Sequence, residues 1–366
     1  MIDWTEENLG NILKFHNGKA IKVLSCGKYP VYGSNGKIGF SNESRFCKSI
    51  IIGRVGAYCG SVYLELDEYW ASDNTIVATV KNKNNLNFVY FLLRSFPLND
   101  LAGGSAQPLL NQSILSRIKI KIPPLKTQQK IAAILSTYDD LIENNKRRIN
   151  LLEKMAEDIY REWFVRFRFP GWQNTDFDKG IPKGWEVKRI KNIVKRKKYG
   201  KIYKQNELEN EGEIIVIDQS KNDFLGFYNG VPEHIASPHN PIIVFGDHTC
   251  KMTLMLRDFS LAENVIPFLP VGSMPVYFLF HLIKDKATTT EYKRHWTELT
   301  TQNVLIPHIE LQKKFSHYVV SIYQQIENYQ NIILNLDKTK NQLLSRLISG
   351  KLSVDNLNIK FPSSME

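Results

Sequence analysis

IPPLKTQQKI (122–131) returns 184 positions later as IPHIELQKKF (306–315), and this pair decides the architecture. The shift is close to half the chain length of 366. At the same shift IEN (142–144) meets IEN (326–328), and LEK (152–154) meets LDK (336–338). Upstream, VYFL (89–92) recurs at 276–279 and SDNTI (72–76) answers AENVI (262–266), at shifts of 187 and 190. Steps of three are what loop insertions produce, and a period this long marks a duplicated domain pair rather than a solenoid.

Each half divides into a globular module of about 120 residues and a long helix. The first helix is expected over about 125–163, a stretch without Gly or Pro. One heptad column holds Ile131, Tyr138, Asn145, Leu152 and Ile159, and its neighbour holds Leu135, Ile142, Ile149, Ala156 and Trp163. The second helix, about 310–349, supplies Phe315, Ile322, Tyr329, Leu336 and Leu343 beside Val319, Ile326, Ile333, Lys340 and Leu347. A sustained seven-residue repeat buries its stripe against another helix, and the obvious partner is the other copy. Pseudo-twofold symmetry of a duplicated pair favours antiparallel packing. Asn145 is polar within the seam, either fixing register or leaning to the surface.

The expected fold is α+β: two mixed α/β modules joined by two long helices in an antiparallel coiled coil, with pseudo-twofold internal duplication. The segments are module one at 1–122, helix one at 123–165, a linker at 166–184, module two at 185–306, helix two at 307–350 and a tail at 351–366. Pro170, Gly171, Gly180, Pro182 and Gly184 make the linker read as loop. Within the modules, 49–52, 61–66 and 75–80 look like strands and 87–96 like a buried helix, mirrored by 214–217, 241–245 and 274–284. The Gly-rich turn YGSNGKIG (32–39) joins strands and lacks the GxxxxGK[ST] phosphate-loop frame.

Composition bounds the function. With 43% hydrophobic residues the chain can bury real cores, which excludes a disordered tail protein. No apolar run approaches the roughly 20 residues of a membrane span, and Asp3, Glu6 and Glu7 stand where a signal peptide would be basic. A soluble, cytoplasmic protein is expected. Cys26, Cys47, Cys59 and Cys250 form no CxxC pair and have no histidine at zinc-finger spacing, so reduced, mostly buried thiols are expected and no metal site.

The net charge of +11 favours a polyanionic partner. Residues 1–122 carry 14 basic and 9 acidic side chains, whereas 123–165 carry 7 of each, so the excess lies on the module. Residues 186–306 are only +2, but 188–204 holds nine basic residues and no acidic one, interleaved with Tyr199 and Tyr203. Such a stretch suits phosphate contact, because each neutralised phosphate releases counterions; the bland reading is a solvated basic loop. Catalytic signatures are missing: no NPPY-type tetrapeptide, GxGxxG, Walker A or HExxH is present. Asp176, Glu186 and Lys188 only superficially fit a nuclease spacing, and His234 and His239 read as loop histidines.

These residues resemble the specificity subunit of type I restriction-modification systems across essentially the whole chain. The marks are IPPLKTQQKIAAIL (122–135), WFVRF (163–167), GIPKGWEV (180–187) and LISGKL (347–352), with GSAQP (104–108) like the family's loop before the first conserved segment. The resemblance implies two target-recognition domains reading the halves of a split, asymmetric site in double-stranded DNA. It implies two methyltransferase subunits docked on the helices, S-adenosylmethionine on those partners rather than on this chain, a motor-nuclease subunit, and no catalysis here. His308 and Lys313 replace a proline and a glutamine of the first copy, and Lys126 and Thr127 stand where acids are frequent in the family.

Candidate DNA contacts are Lys37, Arg45 and Arg54 with Asn35 and Gln107 as amide readers in module one. Module two offers Lys195, Arg196, Lys198, Lys201, His248 and Lys251, with Gln219 and Asn303 as readers, since an amide pairs bidentately with adenine. The rival reading is an assembly scaffold whose coiled coil binds only protein.

Overall fold

The computed structural model describes residues 4–81, 83–102, 109–220, 224–288 and 294–361. The chain forms two compact units. The first comprises residues 1–142 and 335–366, and the second 143–334. Each therefore combines one module with the beginning of one long helix and the end of the other.

The two modules share one topology. In the first unit a four-stranded antiparallel sheet runs Leu13–Asn17, Thr75–Val80, Ser49–Gly53, Val62–Glu65, and a three-stranded sheet runs Gly36–Ser41, Tyr29–Gly33, Trp70–Ala71 with its last pair parallel. The second unit repeats this as Val194–Arg196, Val265–Pro270, Ile242–Gly246, Met252–Met255, and as Gly226–Tyr228, Ile214–Ile217, Phe259–Leu261, again with its last pair parallel. A two-stranded ribbon closes each module, Thr5–Asn8 with Lys119–Ile122 and Glu186–Arg189 with Asn303–Ile306. The central strands Ser49–Gly53 and Ile242–Gly246 are buried throughout, as β-branched and aromatic runs covered on both faces must be.

The module helices are Leu86–Arg94 and Val276–Ile283, and here the sequence match misleads. The VYFL repeat aligns Val89 with Val276, yet the helix starts and the buried positions superimpose Phe88 on Phe278 and Phe91 on His281. A slip of three is nearly one turn, so it leaves the apolar face in place and cannot be seen from hydrophobicity.

The long helices are α1, Leu125–Tyr160, extended by a π-helical turn at Arg161–Val165, and α2, Ile309–Ile348. Gly350, at φ +73°, stops α2 in the left-handed conformation that glycine adopts without strain. Within the first unit Ile131 and Leu135 share a core with Leu343 and Leu347, and Lys340 bonds Asp139 at 2.9 Å. Within the second, Arg148 lies over the ring of Tyr329, Ala156 packs with Val319 and Tyr323, and Trp163 meets Phe315. Residue numbers rise along one helix as they fall along the other, so the pairing in each unit is antiparallel.

Along these helices Ile131, Leu135, Ile142, Asn145, Phe315, Val319, Ile322 and Ile326 are buried, and Tyr138, Ile149, Leu152, Tyr329, Ile333 and Leu336 are half-buried. The seam is not purely interhelical. Ile131 and Leu135 also join Leu9, Phe88 and Leu92 of the first module, and Phe315 and Val319 join Phe278 and Leu279 of the second. Each helix start is thus roofed by its own module, which supplies apolar area that the partner helix alone would not. Lys340 is 4% exposed in the seam because Asp139 and Asp337 neutralise it.

Two expectations need correcting. The segment 166–184 is not all loop: Phe177–Asp178 pairs with Ile181–Pro182 in a small hairpin turning at Lys179 and Gly180. Of the four cysteines, none in a disulfide, only Cys59 is buried; Cys26 and Cys47 are exposed because they fall in connecting loops outside the strands, and Cys250 is intermediate. No helix among the described residues is long and apolar enough to cross a membrane.

Candidate nucleic-acid interface

Cations of the first module lie on the edge strand Leu13–Asn17 (Lys14), on the hairpin strand Gly36–Ser41 (Lys37) and in two loops (Lys28 and Arg45). Leu13–Asn17 pairs only with Thr75–Val80 in its sheet, so Lys14 and His16 project from an edge. His16 lies 6.0 Å from Phe46, whose ring also carries the Arg45 guanidinium at 5.4 Å. Burial, then the neighbouring Lys14 and Arg45 charges, hold the His16 pKa below its usual value, so its ring is neutral among cations. Lys28 sits over Tyr29 at 4.9 Å and Lys37 over Phe40 at 4.1 Å. Aromatic faces under ammonium groups hold them in place while leaving the charge exposed. Asn35 is exposed at the tip of the hairpin between Tyr29–Gly33 and Gly36–Ser41.

Arg54 is half-buried. Its backbone N–H donates to the Asn74 carbonyl at 3.0 Å and its carbonyl accepts from Leu110 N–H at 2.9 Å. Its side-chain Nε is buried without a hydrogen-bond partner among the described residues. Gln107 lies outside the described residues.

The second module places its cations on the equivalent edge. Lys195 and Lys198 are exposed, and the Arg196 guanidinium lies over the Trp296 ring at 4.7 Å. Lys201 pairs with Glu207 at 2.9 Å, and the carboxylate offsets its charge toward an anionic ligand. Gln219 accepts from His248 N–H through Oε1 at 3.1 Å, and its backbone carbonyl accepts from Thr249 Oγ1 at 2.6 Å. Gln219 therefore holds the turn 246–251, which carries His248 and Lys251, and one of the two acceptor positions of its Oε1 is used. Asn303 is exposed at the start of its strand, opposite Arg189.

Equivalent positions differ in chemistry. Asp247 stands where the first module has Arg54: its N–H donates to the Asn264 carbonyl at 2.9 Å in the same way. Its carboxylate instead accepts from Trp296 N–H at 2.9 Å and starts the helix Trp296–Thr301. His234 is buried against Phe259 and its Nε2 donates to the Tyr199 carbonyl at 3.1 Å, while His239 meets Gln324 at 3.0 Å, so the two histidines serve different contacts. Glu186 and Lys188 form an exposed ion pair at 2.8 Å, the ordinary same-face pairing of strand positions i and i+2. Among the described residues no group of three or more His, Cys, Asp or Glu side chains could hold a metal ion.

Residues 1–154 match the family described as the type I restriction modification DNA specificity domain. Over 308 residues the chain is 30% identical to the type I restriction enzyme MjaIX specificity subunit of Methanocaldococcus jannaschii, spanning 74% of this chain and 70% of that one. The chain belongs to the type I restriction-modification specificity-subunit family. A second specificity subunit of that organism, MjaVIII, is 25% identical over 407 residues, spanning 97% of this chain and 94% of the relative. The fold is shared with the crystal structure of the type I restriction-modification system S subunit from M. genitalium, with a TM-score of 0.55, 17% identity, and coverage of 95% and 96% of the two chains.

In this specificity subunit, sequence reading overlooked Lys14 and His16, although they alternate on a strand beside apolar Leu13 and Phe15, a period-two signal. It also overlooked Val231 and Ile235, two aliphatic side chains lying fully open on a loop of the second module.

Proposed function

We propose that this chain selects the DNA for its restriction-modification complex, each module reading one half of a bipartite, asymmetric duplex site, and that it performs no chemistry itself. The observation that carries this reading is one fold built twice with unlike side chains at equivalent places, Arg54 in one module and Asp247 in the other. Two readers of one design but different surface give two different half-sites. Exposed cations such as Lys14, Lys37, Arg45, Lys195 and Lys198 set register on phosphates, and amides such as Asn35 and Asn303 address base edges. Two methyltransferase subunits dock on the helical region and supply adenine methylation with S-adenosylmethionine. A motor-nuclease subunit joins to cut unmodified DNA.

A mobility-shift titration of the full chain with its methyltransferase subunits tests this. Binding to the methylated-site sequence is expected to survive salt that abolishes binding to random duplex. Equal loss on both duplexes supports an assembly scaffold instead. Because α1 and α2 each run from one unit into the other, they act as the spacer of the two half-sites. Deleting one heptad from each, about 10 Å of rise, is expected to change the tolerated gap and leave the half-site sequences alone.

A further inference from the structure

Val231 and Ile235 are 84% and 78% exposed, more than any other large apolar side chain described. They sit on a loop that is otherwise tied down. The Tyr228 hydroxyl donates to the Val231 carbonyl at 2.6 Å, Glu233 N–H to Ser260 Oγ at 3.0 Å, and Ala236 N–H to Asp258 Oδ1 at 2.9 Å. His234 exchanges backbone hydrogen bonds with Phe259 at 3.0 Å, as an added strand at the edge of the three-stranded sheet would. Burial alternates accordingly: His234 and Ala236 point inward, and Glu233 and Ile235 point out. A loop held this firmly exposes its aliphatic side chains as a fixed feature, not through fraying.

The same loop is stapled to the basic segment. His234 Nε2 donates to the Tyr199 carbonyl at 3.1 Å. Burial keeps the ring neutral, and a carbonyl only accepts, so the proton resides on Nε2. Gly200, at φ +71°, lies so close to Glu233 that a Cβ there would collide with its carboxylate. Ile202 then pairs with Leu261 as His234 does with Phe259, so the two segments meet at the strand Phe259–Leu261 on one edge of the three-stranded sheet. The acidic residue Glu209 pairs with Phe227 on the strand at the opposite edge. Exposed aliphatic groups thus stand on a loop fastened next to Lys197 and Lys198, whose two charges outnumber that of Glu233 on the same loop, and the net charge favours a polyanion that also has apolar surface.

We infer that Val231 and Ile235 are specificity-determining residues of the second module, making apolar contacts with the bases of duplex DNA whose phosphates the Lys195–Lys198 segment engages. This rests on the DNA reading proposed above. The contact is either with thymine methyl groups in the major groove or as a wedge at a base step. Serine at both positions removes apolar contact without altering charge, and two exposed sites tolerate it without loss of folding.

The test titrates the wild-type chain, Val231→Ser/Ile235→Ser and Lys195→Gln/Lys198→Gln, each assembled with its methyltransferase subunits, on specific and random duplexes. The serine variant is expected to weaken specific binding by about tenfold or more while random binding and the salt slope stay unchanged. The glutamine variant is expected to weaken both and to flatten the slope. Replacing thymine by uracil in the second half-site assigns the contact: an affinity loss in the wild type that vanishes in the serine variant marks the methyl groups, and no loss marks a wedge. A folded serine variant that discriminates as well as the wild type overturns this inference alone. A wild-type complex without discrimination overturns the DNA reading, and this inference with it.

Discussion

The duplicated segment holds a glutamine in both copies, Gln128 and Gln312, and the structure makes them unequal. Both are buried, at 2% and 3% exposure. Gln128 Oε1 accepts from Asn85 N–H at 2.9 Å, and its Nε2 donates to Asn84 Oδ1 and to the Pro123 carbonyl, both at 2.9 Å. It thereby fastens the start of α1 to the N-cap of the helix Leu86–Arg94. In the second copy the N-cap is Pro275, which has no N–H, so Gln312 donates to the Pro307 carbonyl at 2.8 Å while its Oε1 is buried with no partner among the described residues. Methionine matches glutamine in shape without its polar atoms. Gln128→Met loses three hydrogen bonds, at about 1 kcal/mol each, and strands the Asn85 donor, for roughly 3–5 kcal/mol. Gln312→Met loses one bond, about 1 kcal/mol, but also removes an unpaired buried oxygen that itself costs about 1–3 kcal/mol, so its net effect runs from about zero to about 2 kcal/mol of stabilisation. Native-state hydrogen exchange reads each unit separately, at the amides of Leu86–Arg94 and of Val276–Ile283, and avoids treating a two-unit chain as one transition. Equal protection losses in the two variants would refute the reasoning.

Other outcomes follow from the same physical chemistry. His281 is buried with its Nε2 at 2.9 Å from the Tyr323 hydroxyl, and burial, then Lys284, push its pKa from 6.5 to about 3. The unfolded chain therefore binds a proton that the folded one refuses: stability of the second unit is full above pH 6.5 and falls by about 1.4 kcal/mol per pH unit toward pH 3, and His281→Phe should flatten this slope in urea midpoints measured from pH 7.5 to 5. Lys340→Met is expected to be neutral or stabilising in thermal unfolding, whereas Asp139→Asn with Asp337→Asn strands a buried ammonium and destabilises the first unit by about 3 kcal/mol. Lys195→Gln with Lys198→Gln should lower the log–log salt slope of random-duplex binding by about 1.8, and an unchanged slope removes these lysines from the phosphate contacts.

The duplication, the long helices and the strand-helix order of the modules were legible in the sequence because heptad and period-two patterns are local consequences of burying one face. The antiparallel sense was also readable, from symmetry. The register inside the module helices was not, since VYFL offers an equally apolar slip of three that only the buried positions of Phe88 and Phe278 exclude. The polar candidates could not be ranked for a related reason: residue type shows that Gln219 could read a base, but not that its side-chain oxygen also accepts from His248 N–H to hold a turn.

What the chain dictates by itself is its repetition, its helical stripes and the balance of charge on the first helix against a net positive first module. Tertiary structure alone decides that each unit is assembled from sequence-distant pieces, that Lys340 is a buried partner rather than a surface cation, and that Pro275 leaves Gln312 half-satisfied. Periodicity is written into neighbouring residues, whereas burial and hydrogen-bond satisfaction depend on which distant groups arrive at the same place.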